Sequence, residues 1–424
     1  MDYKYKTKID QTCKNLELSE ENWKKKGRFL DQKVTPDVLM IVSEVILKYF
    51  KNDKTKDKKF TINDLWNSKF AKRIPAFFGK PEIKNKSAKN EYDKFFSQPI
   101  CTLSFSGILT REVSRKPHIY RIENEPLLKY ISLSSRNSNY FLFLYIKKFL
   151  KDNNLFKIFE NYLEDSTKEN FHNLKDVIFY NFIANNTPIN TKTEINRIWP
   201  KLLNPLAFYY KTNGSKDGRI SDQKIQFMDL LYNKPNWRDV GKPKDITRKE
   251  YVELEEKEDV SDELYEYELK KILKEIKNYH KYMNEIHPTK EKEMVNGHHI
   301  FSKSNYPEFY DLKENIILLT PDQHFSYAHP GGNTQYTSKE YQLICLIYKL
   351  DSIERSELLN RDGFYSKDNY VDMIQNVLDG TEIKSSWEYE KIKYWLAHKF
   401  IEKNIPVKNN YKVASEKKYD TDKK

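Results

Sequence analysis

Cysteine is scarce: Cys13, Cys101 and Cys345 are the three in 424 residues, and they lie far apart. Such spacing excludes both a disulfide framework and a CxxC zinc knuckle. No apolar run is long enough to cross a bilayer. The opening stretch, MDYKYKTKID, lacks the apolar core of a secretory signal. A cytoplasmic chain with no membrane partner is therefore expected. Glycine is rare as well, at 11 residues, while Lys, Asn, Ile and Tyr are abundant, and no internal repeat is visible.

What the chain does have is core-forming material and positive charge. Hydrophobic residues make up 38% and aromatic residues 14%, which excludes a disordered chain. The length accommodates roughly two to four domains. Lys and Arg number 74 against 62 Asp and Glu, a net charge of +12. Excess positive charge favours a polyanionic partner.

Thr35 and Pro36 carry the signature of a helix start. Apolar residues then recur at helical spacing through Val38, Ile41, Val42, Val45 and Ile46, which predicts a helix over 35–50. Thr61 and Asp64 have the spacing of a capping box. A longer helix is predicted over 87–109, broken at Pro99. Ile108–Val113 and His118–Ile122 read as a hairpin with Arg111, Arg115 and Lys116 at its tip. Three helices followed by a basic hairpin outline a winged helix, in which one helix enters the major groove and the wing touches backbone. A plain helical domain with a surface hairpin has the same outline.

Residues 136–185 read as helical, their aromatic stripe as core. The stretch 186–249 is punctuated by Pro and Gly. It ends with Arg238, Lys242, Lys244, Arg248 and Lys249 around Trp237. That mixture suits phosphate or base contact, or equally a solvated loop. From Glu250 the sign reverses. An acidic block is repelled by a polyanion, so 250–290 reads as a linker that continues into a helix. The expected fold class is α+β, mainly helical. Its parts are a winged-helix-like DNA-binding region at 1–160, a helical and loop region with the basic segment at 161–249, the linker at 250–290, a catalytic module at 291–335, and C-terminal helices at 336–424.

Four of the nine histidines fall between His298 and His329. MVNGHHI predicts a short strand, FSKSNYPEFYDLKE a loop and NIILLT a second strand. Thr320 and Pro321 then open a helix over PDQHFSYAH, which Pro330 ends. Adjacent strand residues face opposite ways. One histidine of the pair can thus join a helix histidine around a divalent ion while its neighbour stays free to act as a base.

The set His298-His299, Asn315 and His324 resembles the HNH, or ββα-metal, nuclease motif, and LLTPDQH is similar to the helix opening of its colicin-DNase-like form. The resemblance implies His298 and His324 as metal ligands, His299 as general base, and Asn315 as the residue that braces the loop and orients His299. The family's two helix histidines are four apart. Here His324 and His329 are five apart, which on an ideal helix turns the second well away. His329 precedes Pro330, and unwinding before proline is expected to bring it back as third ligand. Asn333 is the fallback.

More loosely, FLDQKVTPDVL, EYDKFFSQP, INRIWPKLLNPLAF, NWRD and AHPGGNTQ make the chain look like HNH-type bacterial restriction endonucleases. The likeness implies a sequence-specific double-strand DNA endonuclease using Mg2+, with Mn2+ in its place possible, and leaving 5′-phosphate and 3′-hydroxyl ends. One site cuts one strand, so a homodimer or two sequential events is expected. A cognate DNA methyltransferase in the same host goes with the class. A modification-dependent or homing nuclease, and a non-catalytic DNA-binding protein, are the alternatives. Pro36-Asp37 with Glu82-Ile83-Lys84 superficially spells another nuclease motif, PD-(D/E)xK. That motif needs its carboxylates on strands, whereas Asp37 begins a helix and KPEIKNK is a lysine-rich loop.

Overall fold

Helix Pro36–Tyr49 is mostly apolar, and every residue from Pro36 to Ile46 is buried. A helix buried this far round lies among other helices. It packs against Lys89–Phe105, Glu125–Leu133 and Ser135–Asp152. The computed structural model describes residues 3–19, 28–51, 58–78, 80, 89–112, 117–186, 189, 191–232, 261–288, 294–303, 305–330, 337–360 and 363–402. Among these the fold is mainly helical with three small antiparallel sheets. Two compact units divide the chain: Lys4–Lys271, and Ile272–Lys424 together with Met1–Tyr3.

In the Lys4–Lys271 unit, Thr35 stands at the cap position of its helix in extended backbone, but its hydroxyl does not accept from the first turn. It donates instead to the Asp37 carboxylate at 2.7 Å. Asp37 also accepts from the Val38 and Tyr232 amides at 3.0 and 2.9 Å and is 1% exposed. A carboxylate so enclosed is structural, in keeping with its exclusion from a PD-(D/E)xK site. Thr61 and Asp64 form the reciprocal capping box.

The helix predicted over 87–109 spans Lys89–Phe105 and runs through Pro99 unbroken. Proline removes one backbone donor and costs about 3 kcal/mol in a helix interior. Burial of Tyr92, Phe95, Phe96, Ile100 and Leu103 exceeds that cost, at ~1.5–3 kcal/mol per large apolar side chain. The same holds for Lys192–Tyr209, which contains Pro200 and Pro205 within a stretch read from its prolines as turn-rich. Strand β1 (Lys59–Phe60) pairs with β3 (Ile119–Ile122), and β3 with β2 (Leu109–Glu112). The second sheet is the hairpin β4 (Asn213–Lys216) and β5 (Arg219–Lys224). Phe141, Tyr145, Phe149, Phe159 and Tyr162 are buried, so the aromatic stripe is core.

In the unit from Ile272 onward, β6 (Asn296–His299) pairs with β7 (Ile316–Leu319), His298 opposite Ile317 and His299 opposite Ile316. All four β7 residues are buried. Gly297 admits this packing, because a Cβ there would lie 2.1 Å from Leu273 Cδ2. Glu285 lies against the free edge of β7 at Leu318. Its amide donates to the Leu318 carbonyl, and its carboxylate accepts from the Leu318 amide, each at 2.9 Å. Helix Lys339–Glu354 sends Lys349 into the same place. The ammonium donates to both Glu285 oxygens at 2.8 and 2.6 Å and to the Tyr365 hydroxyl at 3.0 Å, with no side-chain exposure at either charge.

Burial alone would raise the Glu285 carboxyl, but His280, Lys349 and the Leu318 amide overcome it and hold the group below its ordinary 4.5. A carboxyl depressed by folding stabilises the protein above its unfolded value, and that contribution fades as pH falls through the folded value. In urea unfolding at a series of pH values, wild type is therefore expected to lose stability below pH 4.5 more steeply than Glu285→Gln. Lys349→Ala, which strands a buried carboxylate, is expected to cost about 3–5 kcal/mol at pH 7.

Candidate metal centre

Three histidines from two elements of the Ile272–Lys424 unit meet. His298 comes from β6, and His324 and His329 from the segment after β7. Their ring centroids are 5.3 Å (298 to 324), 4.9 Å (298 to 329) and 4.9 Å (324 to 329) apart. One nitrogen from each ring lies within 4.8 Å of the other two. His298 and His329 are buried, and His324 is partly so. His298 Nε2 and His324 Nδ1 are buried without a hydrogen-bond partner. Buried polar atoms normally have partners, and two orphaned nitrogens turned into one cluster fit a site that an ion would complete.

The five-residue spacing is resolved by the backbone. After Thr320 the helix opens as expected: the Gln323 amide donates to the Thr320 hydroxyl at 3.2 Å, and the Gln323 side chain accepts from the Thr320 amide at 2.8 Å. From Gln323 to Ala328 it is a π-helix. The His329 amide donates to the His324 carbonyl at 3.1 Å, an i→i+5 bond. A π-turn holds one more residue than an α-turn, so five positions cover the rotation that four would. His329 thus joins the site through a widened turn. His329 itself leaves α geometry, at φ −123° and ψ 73°, as expected of the residue ahead of Pro330.

Electrostatics favour the neutral, ligating form of the rings. Burial, then the neighbouring His329, His324 and His299, push the His298 imidazole from 6.5 down to about 3. Burial and His329 lower His324. Neutral imidazole is the form that binds metal. Three imidazole donors, with no carboxylate in the cluster among the described residues, fit a divalent transition ion better than Mg2+, which prefers oxygen. Of the two ions expected from the sequence, Mn2+ is the better match.

His299 is held apart. Its Nε2 contacts the Tyr310 carbonyl at 2.8 Å. In the neutral ring that nitrogen donates, which leaves the lone pair on Nδ1. Burial lowers its pKa, Lys303 lowers it further, and the Tyr310 carbonyl and Asp311 oppose this. The Asn315 side chain makes no hydrogen bond to His299. It clamps the loop between the strands, accepting from the Phe301 amide at 2.9 Å and donating to the Phe301 and Phe309 carbonyls at 3.0 and 3.1 Å. The residue after Phe309 is Tyr310, so the clamp fixes the carbonyl that orients His299.

Sequence reading missed a further brace. The Gln342 amide donates to the Ile300 carbonyl at 2.5 Å, and the Ser338 amide donates to the Ala328 carbonyl at 2.9 Å. One end of helix Lys339–Glu354 thus grips the residue after His299 and the residue before His329. Gln342, Leu346 and Lys349 share the buried side of this helix. Two polar residues in line with that apolar face were the available signal.

The other predicted contacts fall differently. Arg111 lies on β2, half-buried, with its guanidinium beside the Tyr120 hydroxyl. Arg115, Lys116, Arg238, Lys242, Lys244, Arg248 and the fallback ligand Asn333 lie outside the described residues. No family model matches the chain, and no curated protein or solved structure matches it either.

Titration calorimetry with Mn2+ is expected to show one site per chain, lost in His298→Ala. Gln342→Leu keeps the volume but drops the grip on Ile300. It is expected to weaken Mn2+ about 10-fold or more with an unchanged circular dichroism spectrum. Unaltered affinity with a lower melting temperature would make Gln342 merely structural.

Proposed function

We propose that the chain is a metal-dependent endonuclease of the ββα-metal type, acting on double-stranded DNA at specific sequences as a restriction enzyme does. One observation carries this reading: three imidazoles converge from a hairpin and the following helical turn, and a fourth is tethered beside them with a free lone pair. A structural zinc site is the plain alternative, but it ordinarily takes four protein ligands, and the described residues offer three.

In this reading His298, His324 and His329 hold the ion, which when bound supplies Lewis-acid stabilisation of charge at the scissile phosphate. His299 Nδ1 accepts a proton from the attacking water, with Tyr310 keeping the ring in the right tautomer. The P–O3′ bond breaks, leaving 5′-phosphate and 3′-hydroxyl ends. Asn315 and Gln342 fix the loop and strand that aim His299.

The Lys4–Lys271 unit supports the DNA-binding part. Its elements run Pro36–Tyr49, β1, Ile62–Trp66, the short helical turns Ala71–Arg73 and Ile74–Phe78, Lys89–Phe105, β2 and β3, with β3 between β1 and β2; this order and pairing support the winged-helix reading. Site specificity, a homodimeric state and a partner methyltransferase belong to the proposal as consequences of the restriction-type reading.

Purified protein with plasmid and Mn2+ is expected to give discrete fragments that vanish with chelator. His299→Ala is expected to lower the cutting rate at least ~100-fold while retaining DNA binding in a gel shift. Equal cutting by wild type and His299→Ala would remove the general base from the scheme. Fragments from methylated plasmid alone would replace ordinary restriction with a modification-dependent activity.

A further inference from the structure

A cleft in the Lys4–Lys271 unit has no part in the scheme so far. Its volume is about 510 Å³, within the range of pockets that enclose small organic groups. Helix Ile62–Trp66 lines it with Ile62, Asn63 and Trp66, helix Lys89–Phe105 with Asp93 and Ser97, and the chain entering β3 with His118. Asp93 and Ser97 are one helical turn apart and share a face. Trp66 is half-buried and set edge-on against Tyr92, ring centroids 5.5 Å apart. Among the described residues, the side chains of Asn63, Asp93 and Ser97 make no hydrogen bond or ion pair.

The lining selects its occupant by chemistry. An indole offers a stacking surface to a planar ring. The Asp93 carboxylate accepts only, so it suits a ring edge that bears an amine, and the Asn63 amide can both donate and accept. The same carboxylate repels phosphate, so a sugar-phosphate backbone belongs outside. Groove readout uses a convex element pushed into the duplex, and a concave site can do the opposite and enclose a base that has left the stack.

We infer that this cleft receives one nucleobase carrying an exocyclic amine, turned out of the DNA duplex, and so sets the enzyme's preference at one position of its target. The inference takes its substrate from the nuclease reading above and extends it to a second site.

The test starts from a plasmid library with a randomised insert, cut by the full chain with Mn2+ and sequenced at the ends. Asp93→Ala and Asn63→Ala, both at exposed positions, are compared with wild type. Each is expected to reduce discrimination at the same single position by about 10-fold, through slower cutting of the preferred sequence, leaving preferences at the other positions unchanged. Duplexes mismatched at that position are expected to bind wild type more tightly by fluorescence polarisation, because the base pair no longer has to be broken. Mismatches elsewhere are expected to weaken binding. Unchanged preferences in both variants would overturn the cleft proposal alone, as would a mismatch at that position that weakens binding. A wild type that cuts no DNA under any divalent ion would overturn the nuclease reading, and the cleft proposal with it.

Discussion

One backbone hydrogen bond, from the His329 amide to the His324 carbonyl, holds the three-histidine cluster together. Were the turn α-helical, His329 would sit well round the helix from His324, and the site would keep two imidazoles. The widened turn restores the third. π-turns have poorer geometry than α-turns and persist where something else holds them. Here the grip comes from both ends: the capping exchange between Thr320 and Gln323 at the start, and the Ser338 amide on the Ala328 carbonyl at the finish.

Burial, and after it the neighbouring rings, opposes protonation of His298 and His324. Fixing their positions takes charge elsewhere. The Glu285–Lys349 pair lies beneath β7, with every hydrogen bond to Glu285 and Lys349 satisfied by backbone, phenol or each other. A buried pair is weak as a source of stability and useful for fixing one arrangement of strands. In this unit it sets which residue of β7 lies against Glu285, and through the pairing of Ile317 with His298 it sets the place of the first ligand.

Local signals wrote much of this plainly. Caps at Thr61 and Thr320, the apolar period of 38–46 and the apolar run at 316–319 each have a short-range cause, and each element formed where expected. The ββα order and the convergence of His298 with His324 followed from them. What could not be read were outcomes decided by packing. Pro99, Pro200 and Pro205 sit inside helices because buried aromatic and aliphatic neighbours outweigh a lost donor. The π-turn has no composition signature, since its cause is contacts at its two ends. Gln342 and Tyr310 act through one amide and one carbonyl, whose partners lie 42 and 11 residues away.

The clamp made by Asn315 has a consequence for how this hairpin can vary. It ties the connection at Phe301 and again at Phe309, so the chain between those two points is a closed excursion whose ends are already fixed. Lengthening such a segment adds only a slowly growing, logarithmic entropy cost and displaces neither knot. Insertions there would leave both knots, and the Tyr310 carbonyl that meets His299, where they are, which makes the stretch between Phe301 and Phe309 the natural place for new surface contacts to be grafted.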